Sequence, residues 1–250
     1  MSEPVLVDLS AWRSLSHHRP LAVVLNADDP AFTCGGTPAW SCEPWFSELV
    51  TALHRAHVQV VLASAARHEL VTELAAHIPT AWWYVEHGAW RYATSVWSGR
   101  APHRDLDTLA AALAPVVRTE LRIVRTSVSL TVTLTRADSP EALELARATI
   151  ARWLEQHTGY RLVASHNAVE ARVRGMDKGG AVVWARQRLP GVKCVIAGLD
   201  VLLDPRDVHV EPAAARTMLQ SLAELRRASM PAAPVEVSSL RALIKRSYRS

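Results

Sequence analysis

Two apolar runs limit what this chain can fold into more than any other feature. Leu21 to Leu25 is unbroken and halts at polar Asn26, and Val58 to Ala63 reads as a second buried run that halts at Ser64. Runs without polar alternation suit strands covered on both faces, the habit of parallel sheets. Helical patterns lie between them. Pro44 to His54 gathers Phe46, Leu49, Val50 and Leu53 on one face, and His68 to Ile78 forms a second helix. Ala81 to Val85 gives a third strand, ending at the turn Glu86-His87-Gly88. Strands and helices alternating at this spacing predict βαβ units and a parallel sheet.

The pattern then changes. Asp105 to Arg118 predicts a helix, and Ser127 to Thr135 alternates strictly, with Val128, Leu130, Val132 and Leu134 on one face. Such alternation predicts a half-exposed antiparallel strand. Glu141 to Gln156 is an amphipathic helix, followed by short strands at Arg161 to Ala164 and Ala168 to Val173. Parallel patterning resumes with a helix from Lys178 to Arg188 and a buried strand from Lys193 to Ala197. A short strand at Val208 to Val210 and a helix from Ala213 to Arg227 follow, and a last helix runs from about Ser238 to Tyr248. The expected division is a core of residues 1–103 and 174–250 with an inserted α+β cap at 104–173.

Several function classes are disfavoured. The net charge of +4 is small and the basic residues are scattered, without the basic stripe interleaved with aromatics that nucleic-acid binding needs. Cys34, Cys42 and Cys194 have neither metal-ligand spacing nor a disulfide framework. No apolar run approaches membrane-spanning length. The first residues, MSEPVLVDLSAWRSL, resemble neither a secretion signal nor a transit peptide, so the cytosol is the expected location. His54 and His57 are read as sharing a helix face without a third ligand, which does not support a metal site.

Open α/β sheets place their sites at the carboxyl ends of parallel strands. Here those positions hold Asn26, Asp28, Ser64 and Asp200, and Lys178 opens a helix within Gly175-Met-Asp-Lys-Gly-Gly180. A lysine there, with the N–H groups of a helix start, suits a phosphate. LAVVLNADDP, VVLAS, VEHGAW, VSLTVTL, VEARVRGMDKGGAV and CVIAGLD, taken together, resemble the haloacid-dehalogenase superfamily and within it the trehalose-6-phosphate phosphatases. The resemblance runs from about Leu21 to Val210. It implies an α/β fold with a Rossmann-like parallel sheet core of haloacid-dehalogenase type and an inserted α+β cap. It also implies phosphate contacts at Ser64 and Lys178, a general-acid position at Asp28, and substrate contacts at His87, Glu170 and Arg172.

The departures from that pattern concern one reaction. The family's nucleophilic aspartate, which also ligates Mg²⁺, falls on Asn26, and an amide is a poor nucleophile. The Gly-Thr that follows the second aspartate has become Asp29-Pro30. A metal-binding aspartate falls on Leu199, leaving Asp200 as a weak metal position, and the downstream acids become Leu203 and Asp204. Hard Mg²⁺ wants anionic oxygens, so no cofactor is expected. The sugar-reading Glu-x-Lys of the cap falls on Val124 and Thr126. The sequence therefore reads as a pseudophosphatase that binds a sugar, a sugar phosphate or a protein partner. Two alternatives stay open: a phosphatase using Asp28 or another carboxylate as nucleophile, and a different reaction in the same cleft. Ser64 could equally cap the following helix, Asp28 and Asp29 could form a turn pair, and His87 could only fix its turn. Trp82 and Trp83 point to opposite faces of their strand, so at least one is expected in the core.

Overall fold

A computed structural model describes residues 9–34, 37–38, 43–116, 119–135, 140–199, 204–205 and 207–229. Its main sheet contains β1 (Leu21–Asn26), β4 (Val58–Ser64), β5 (Trp82–Val85), β6 (Trp90–Ala93), β7 (Val96–Gly99), β12 (Lys193–Ala197) and β13 (Val208–Val210). They lie in the order β13-β12-β1-β4-β5-β6-β7. The first five are parallel, and β6 and β7 continue the sheet as an antiparallel hairpin. A two-stranded ribbon, β2 (Thr33–Cys34) and β3 (Thr37–Pro38), stands apart from this sheet.

Alternation along each strand divides the core in two. Leu21, Val23 and Leu25 of β1 join one cluster with Val60 and Leu62 of β4, while Ala22, Val24, Val61 and Ala63 join the other. The first cluster is covered by α1 (Leu9–His17), α2 (Pro44–Arg55), α3 (His68–Ala75) and α7 (Pro212–Ser229). The second is covered by α6 (Gly180–Arg188), which presents Ala181, Val182, Trp184 and Ala185. Both faces are thus dry, which is why the strands read as unbroken apolar runs. Trp83 is fully buried in the first cluster and Trp82 packs at the edge of the second, the opposite-face arrangement that strand alternation predicts. No helix among the described residues is long and apolar enough to cross a membrane.

The second layer is built from α4 (Asp105–Leu113), β8 (Leu121–Arg125), β9 (Ser129–Leu134), α5 (Pro140–Leu154), β10 (Tyr160–Ala164) and β11 (Ala168–Val173). Its antiparallel sheet runs β10-β11-β9-β8. Leu130, Val132, Val169 and Ala171 face α4 and α5 and are buried with Leu106, Leu109, Leu143 and Ile150. The opposite strand faces turn toward the main sheet. Hydrogen bonds join the layers: Ser127 N donates to Glu86 Oε2 at 2.6 Å, and Trp90 Nε1 donates to Ser127 Oγ at 3.0 Å.

Several elements differ from the sequence expectation, each for a local reason. The helix expected to Arg118 ends at Leu113, because Pro115, two residues on, has no N–H with which to continue the ladder. The strand expected from Ser127 starts at Ser129, because Thr126 Oγ1 accepts from Val128 N and Ser129 N and bends the chain first. His54 and His57 do not share a helix face, since α2 ends at Arg55 and His57 has a left-handed φ of 56°. The β6-β7 hairpin, α1 and β8 are additions to the sequence reading. The helix expected near 238–248 lies outside the described residues.

Arg226 of α7 is 1% exposed and meets no carboxylate among the described residues. Its guanidinium donates to Ala56 O at 2.9 Å and His18 O at 2.7 Å, with longer contacts to Leu15 O, Ser16 O and His57 O. These carbonyls end α1 and α2, where the helix dipoles favour a cation.

Candidate functional site

The polar residues that end the parallel strands converge on a cleft of about 790 Å³ between the two layers. Asn26 closes β1 at the centre of the sheet, with Ala197 of β12 on one side and Ala63 of β4 on the other, each paired to this end of β1. In the following turn Asp28 N donates to Asn26 Oδ1 at 3.3 Å. Ser64 closes β4 and donates its hydroxyl to Asp28 Oδ1 at 2.6 Å, while Ala65 N donates to Asp28 Oδ2 at 2.6 Å. Lys178 lies in the turn just before α6, two residues ahead of the helix it was expected to open. Its ammonium meets Asp28 Oδ2 at 2.7 Å and Asn26 Oδ1 at 2.9 Å. Ser64 and Lys178 both donate to Asp28, but Ser64 is fully buried and is not among the residues lining the cleft. Ser64 Oγ also accepts from Ala66 N at 3.0 Å, a local turn two residues before α3 rather than a cap on it.

The roof comes from strand alternation in the second layer. Glu170 and Arg172 of β11 stand opposite Thr131 and Ser129 of β9 and Val163 and Arg161 of β10. Arg172 grips both Glu170 oxygens, with Nε at 3.1 Å from Oε1 and a second guanidinium nitrogen on Oε2. His87 Nε2 lies 3.2 Å from Glu170 Oε1. His87 belongs to a turn in which Glu86, His87 and Gly88 have φ of 49°, 55° and 93°. Two consecutive non-glycine residues in the left-handed region are costly, and surrounding packing has to hold them there. His87 is 4% exposed, and its Nδ1 has no hydrogen-bond partner among the described residues. Arg161 approaches Asp177 at 3.8 Å.

Solved structures share this layout. The C-terminal domain of a C. albicans trehalose-6-phosphate phosphatase matches with a TM-score of 0.67 at 14% identity, over 88% of this chain and 98% of that one. The chain has the haloacid-dehalogenase fold. A trehalose-6-phosphate phosphatase related protein matches with a TM-score of 0.57 at 16% identity, over 84% and 100% of the two chains. The sucrose-phosphatase from Synechocystis, in complex with sucrose and phosphate, matches with a TM-score of 0.53 at 12% identity, over 83% and 98%. No family model matches the sequence, and no curated protein does.

Only part of the set of residues singled out from sequence lines this cleft. Asn26, Asp28, His87, Glu170, Arg172, Lys178 and Leu199 all line the cleft, and so do the two cap positions Val124 and Thr126. Asp200 and Leu203 lie outside the described residues. Asp204 is not among the lining residues and sits 3.9 Å from Arg186, which also pairs with Asp207. Arg161, Asp177, Ser129 and Thr131 line the cleft too and were missed. A hairpin centred on His166 and Asn167 would have placed Arg161 opposite Arg172, so the signal was register rather than composition. The one described trio with cation-ligating geometry, His68, Glu69 and Glu86, lines no part of the cleft. Its Glu86 oxygens already accept from His68 N and Ser127 N.

Burial alone would raise the Glu170 carboxyl, but hydrogen bonds from His87 and Arg172 overcome it and hold the group at about 2. Its folded value is below its unfolded one, so the stabilisation is complete above the unfolded value of about 4.3 and is lost as pH falls toward 2. Glu170→Gln should therefore cost up to roughly 3 kcal/mol near neutral pH. The gap between wild type and variant should close as pH drops through that window. Chemical denaturation at neutral pH and at about pH 3 measures this; a gap that does not change with pH would remove the roof network as its source.

Proposed function

We propose that this chain is a pseudophosphatase: a sugar-phosphatase fold whose cleft holds a neutral polyhydroxyl ligand and transfers no phosphoryl group. The division into a core and a cap that closes over the cleft is part of this reading. The observation that carries it is charge pairing inside the cleft. Lys178 faces Asp28, Arg172 faces Glu170, and Arg161 faces Asp177. Each cation that a phosphate dianion would need already has a carboxylate partner. What remains are the hydroxyl of Thr131 and apolar surface from Val124, Ala65, Ala66 and Leu199, a lining suited to a sugar ring and its hydroxyls.

The same geometry speaks against Asp28 as a nucleophile and against Mg²⁺. Asp28 accepts from Ser64, Ala65 and Lys178, so its lone pairs are engaged and it is poorly placed to attack phosphorus. Among the described residues, the floor offers a divalent ion one amide oxygen and a carboxylate neutralised by an ammonium, and Leu199 offers none. That donor set does not suit Mg²⁺. In the proposed role Lys178 and Asp28 keep the floor rigid, and Glu170 and Arg172 present hydrogen-bonding edges to the ligand.

A titration followed by NMR tests the reading. Trehalose or a related neutral disaccharide should shift the Gly179 and Gly198 amides with a Kd of roughly 1 mM, about 4 kcal/mol. Arg172→Ala should abolish those shifts. Inorganic phosphate should leave the two amides unmoved. Phosphate shifts there that vanish in Lys178→Ala would overturn the neutral-ligand reading, and no response to any sugar would overturn the binding role.

A further inference from the structure

A second pocket of about 200 Å³ opens behind the His87 turn, lined by Gly88, Ala89, Arg91, Ser98, Gly99 and Arg100. It shares no lining residue with the cleft. Strand register builds it: Tyr84 of β5, Arg91 of β6 and Ser98 of β7 lie opposite one another in a single cross-strand row, and Arg100 follows β7 directly. Arg91 and Arg100 therefore line one concavity. Neither has a carboxylate within ion-pair distance among the described residues, whereas Arg161, Arg172 and Arg186 nearby are all paired.

The support beneath Arg91 is rigid. Its guanidinium lies 5.5 Å over the Tyr84 ring, and its Nε is buried without a hydrogen-bond partner. Tyr84 is itself wedged, since a Cβ on Gly88 or Gly180 would come within 2.0 or 2.2 Å of its hydroxyl oxygen. Burial pushes the Tyr84 hydroxyl up, so it stays neutral and does not balance either arginine. Two like charges held in one pocket repel, and a doubly charged oxyanion between them removes that cost. Guanidinium is also the side chain whose fork geometry suits such an anion.

We propose that the Arg91–Arg100 pocket binds a phosphate-class dianion, free or as the head group of a small phosphomonoester, independently of the cleft. Inorganic phosphate titrated into isotope-labelled protein should shift the Gly88 and Gly99 amides and the Arg91 Nε–H signal. Arg100→Gln, at an exposed position, should weaken this binding about tenfold, the loss expected for one charge-assisted hydrogen bond. The double variant Arg91→Gln, Arg100→Gln should abolish it, and Lys178→Ala should leave it unchanged. Tighter binding of glycerol 3-phosphate than of phosphate would identify the phosphomonoester form, and equal binding the free anion. Absence of shifts at tens of millimolar phosphate overturns the proposal, and so do shifts that survive Arg100→Gln at full affinity or disappear in Lys178→Ala. Should the double variant melt early, the single Arg100→Gln change decides the matter.

Discussion

Purified protein supplied with trehalose 6-phosphate or p-nitrophenyl phosphate and Mg²⁺ is expected to release phosphate at the background rate. Loss of a covalent nucleophile alone lowers turnover by on the order of a millionfold in a well-studied hydrolase. Here Asn26 presents its amide oxygen to Lys178 at 2.9 Å, so the atom that would have to attack is a neutral, already engaged acceptor. Asn26→Asp alone should not repair the site. The new carboxylate would share Lys178 with Asp28, and Leu199, 6% exposed and packed in the cluster beneath α6, would still supply no ligand. Asn26→Asp combined with Leu199→Asp should recover measurable Mg²⁺ binding by calorimetry, at a cost in stability because a charge enters an apolar cluster. Steady-state phosphate release at about 1 s⁻¹ or faster by the wild type would sink the pseudophosphatase reading. The same rate from Asn26→Asp alone would show that the Leu199 position does not matter to the metal.

Arg226→Ala should be the most destabilising single change away from the cleft, costing roughly 3–5 kcal/mol. The substitution opens a cavity and leaves the carbonyls of Ala56 and His18, with their neighbours, buried without their donor. For a chain of this size that corresponds to a fall in melting temperature of about 10 °C or more. Arg226→Lys keeps the charge but not the fork, so it cannot reach the ends of α1 and α2 together and should recover only part of the loss. Thermal denaturation of the three proteins provides the comparison. A loss below about 1 kcal/mol for the alanine variant would mean that water replaces the guanidinium at those helix ends.

Much of this protein could be read from its residues in order. The apolar runs at Leu21 and Val58 became β1 and β4, and the polar residues that end them, Asn26 and Ser64, stand at the carboxyl edge. Alternation at Leu130 and Val132 correctly assigned a buried face to β9, while Leu134 is only partly buried and Val128, ahead of the strand, packs with Ala89 and Met176 instead. These signals are local: a strand covered on both sides must be apolar throughout, and a strand covered on one side must alternate. The amide at Asn26 was equally local, because one side chain either carries a carboxylate or does not.

What lay beyond the sequence were the relations between distant residues. Lys178 and Asn26 are 152 positions apart, and nothing local says that the ammonium turns onto Asn26 and Asp28 rather than waiting for a ligand. Arg161 entered the site only through its register opposite Arg172, and nothing local to Arg226 signals its five carbonyl contacts. By itself the sequence determined which elements form, which faces they bury and which side chain ends each strand. The tertiary structure decided how charges pair, because pairing depends on distances of a few ångströms between chain segments brought together only by packing.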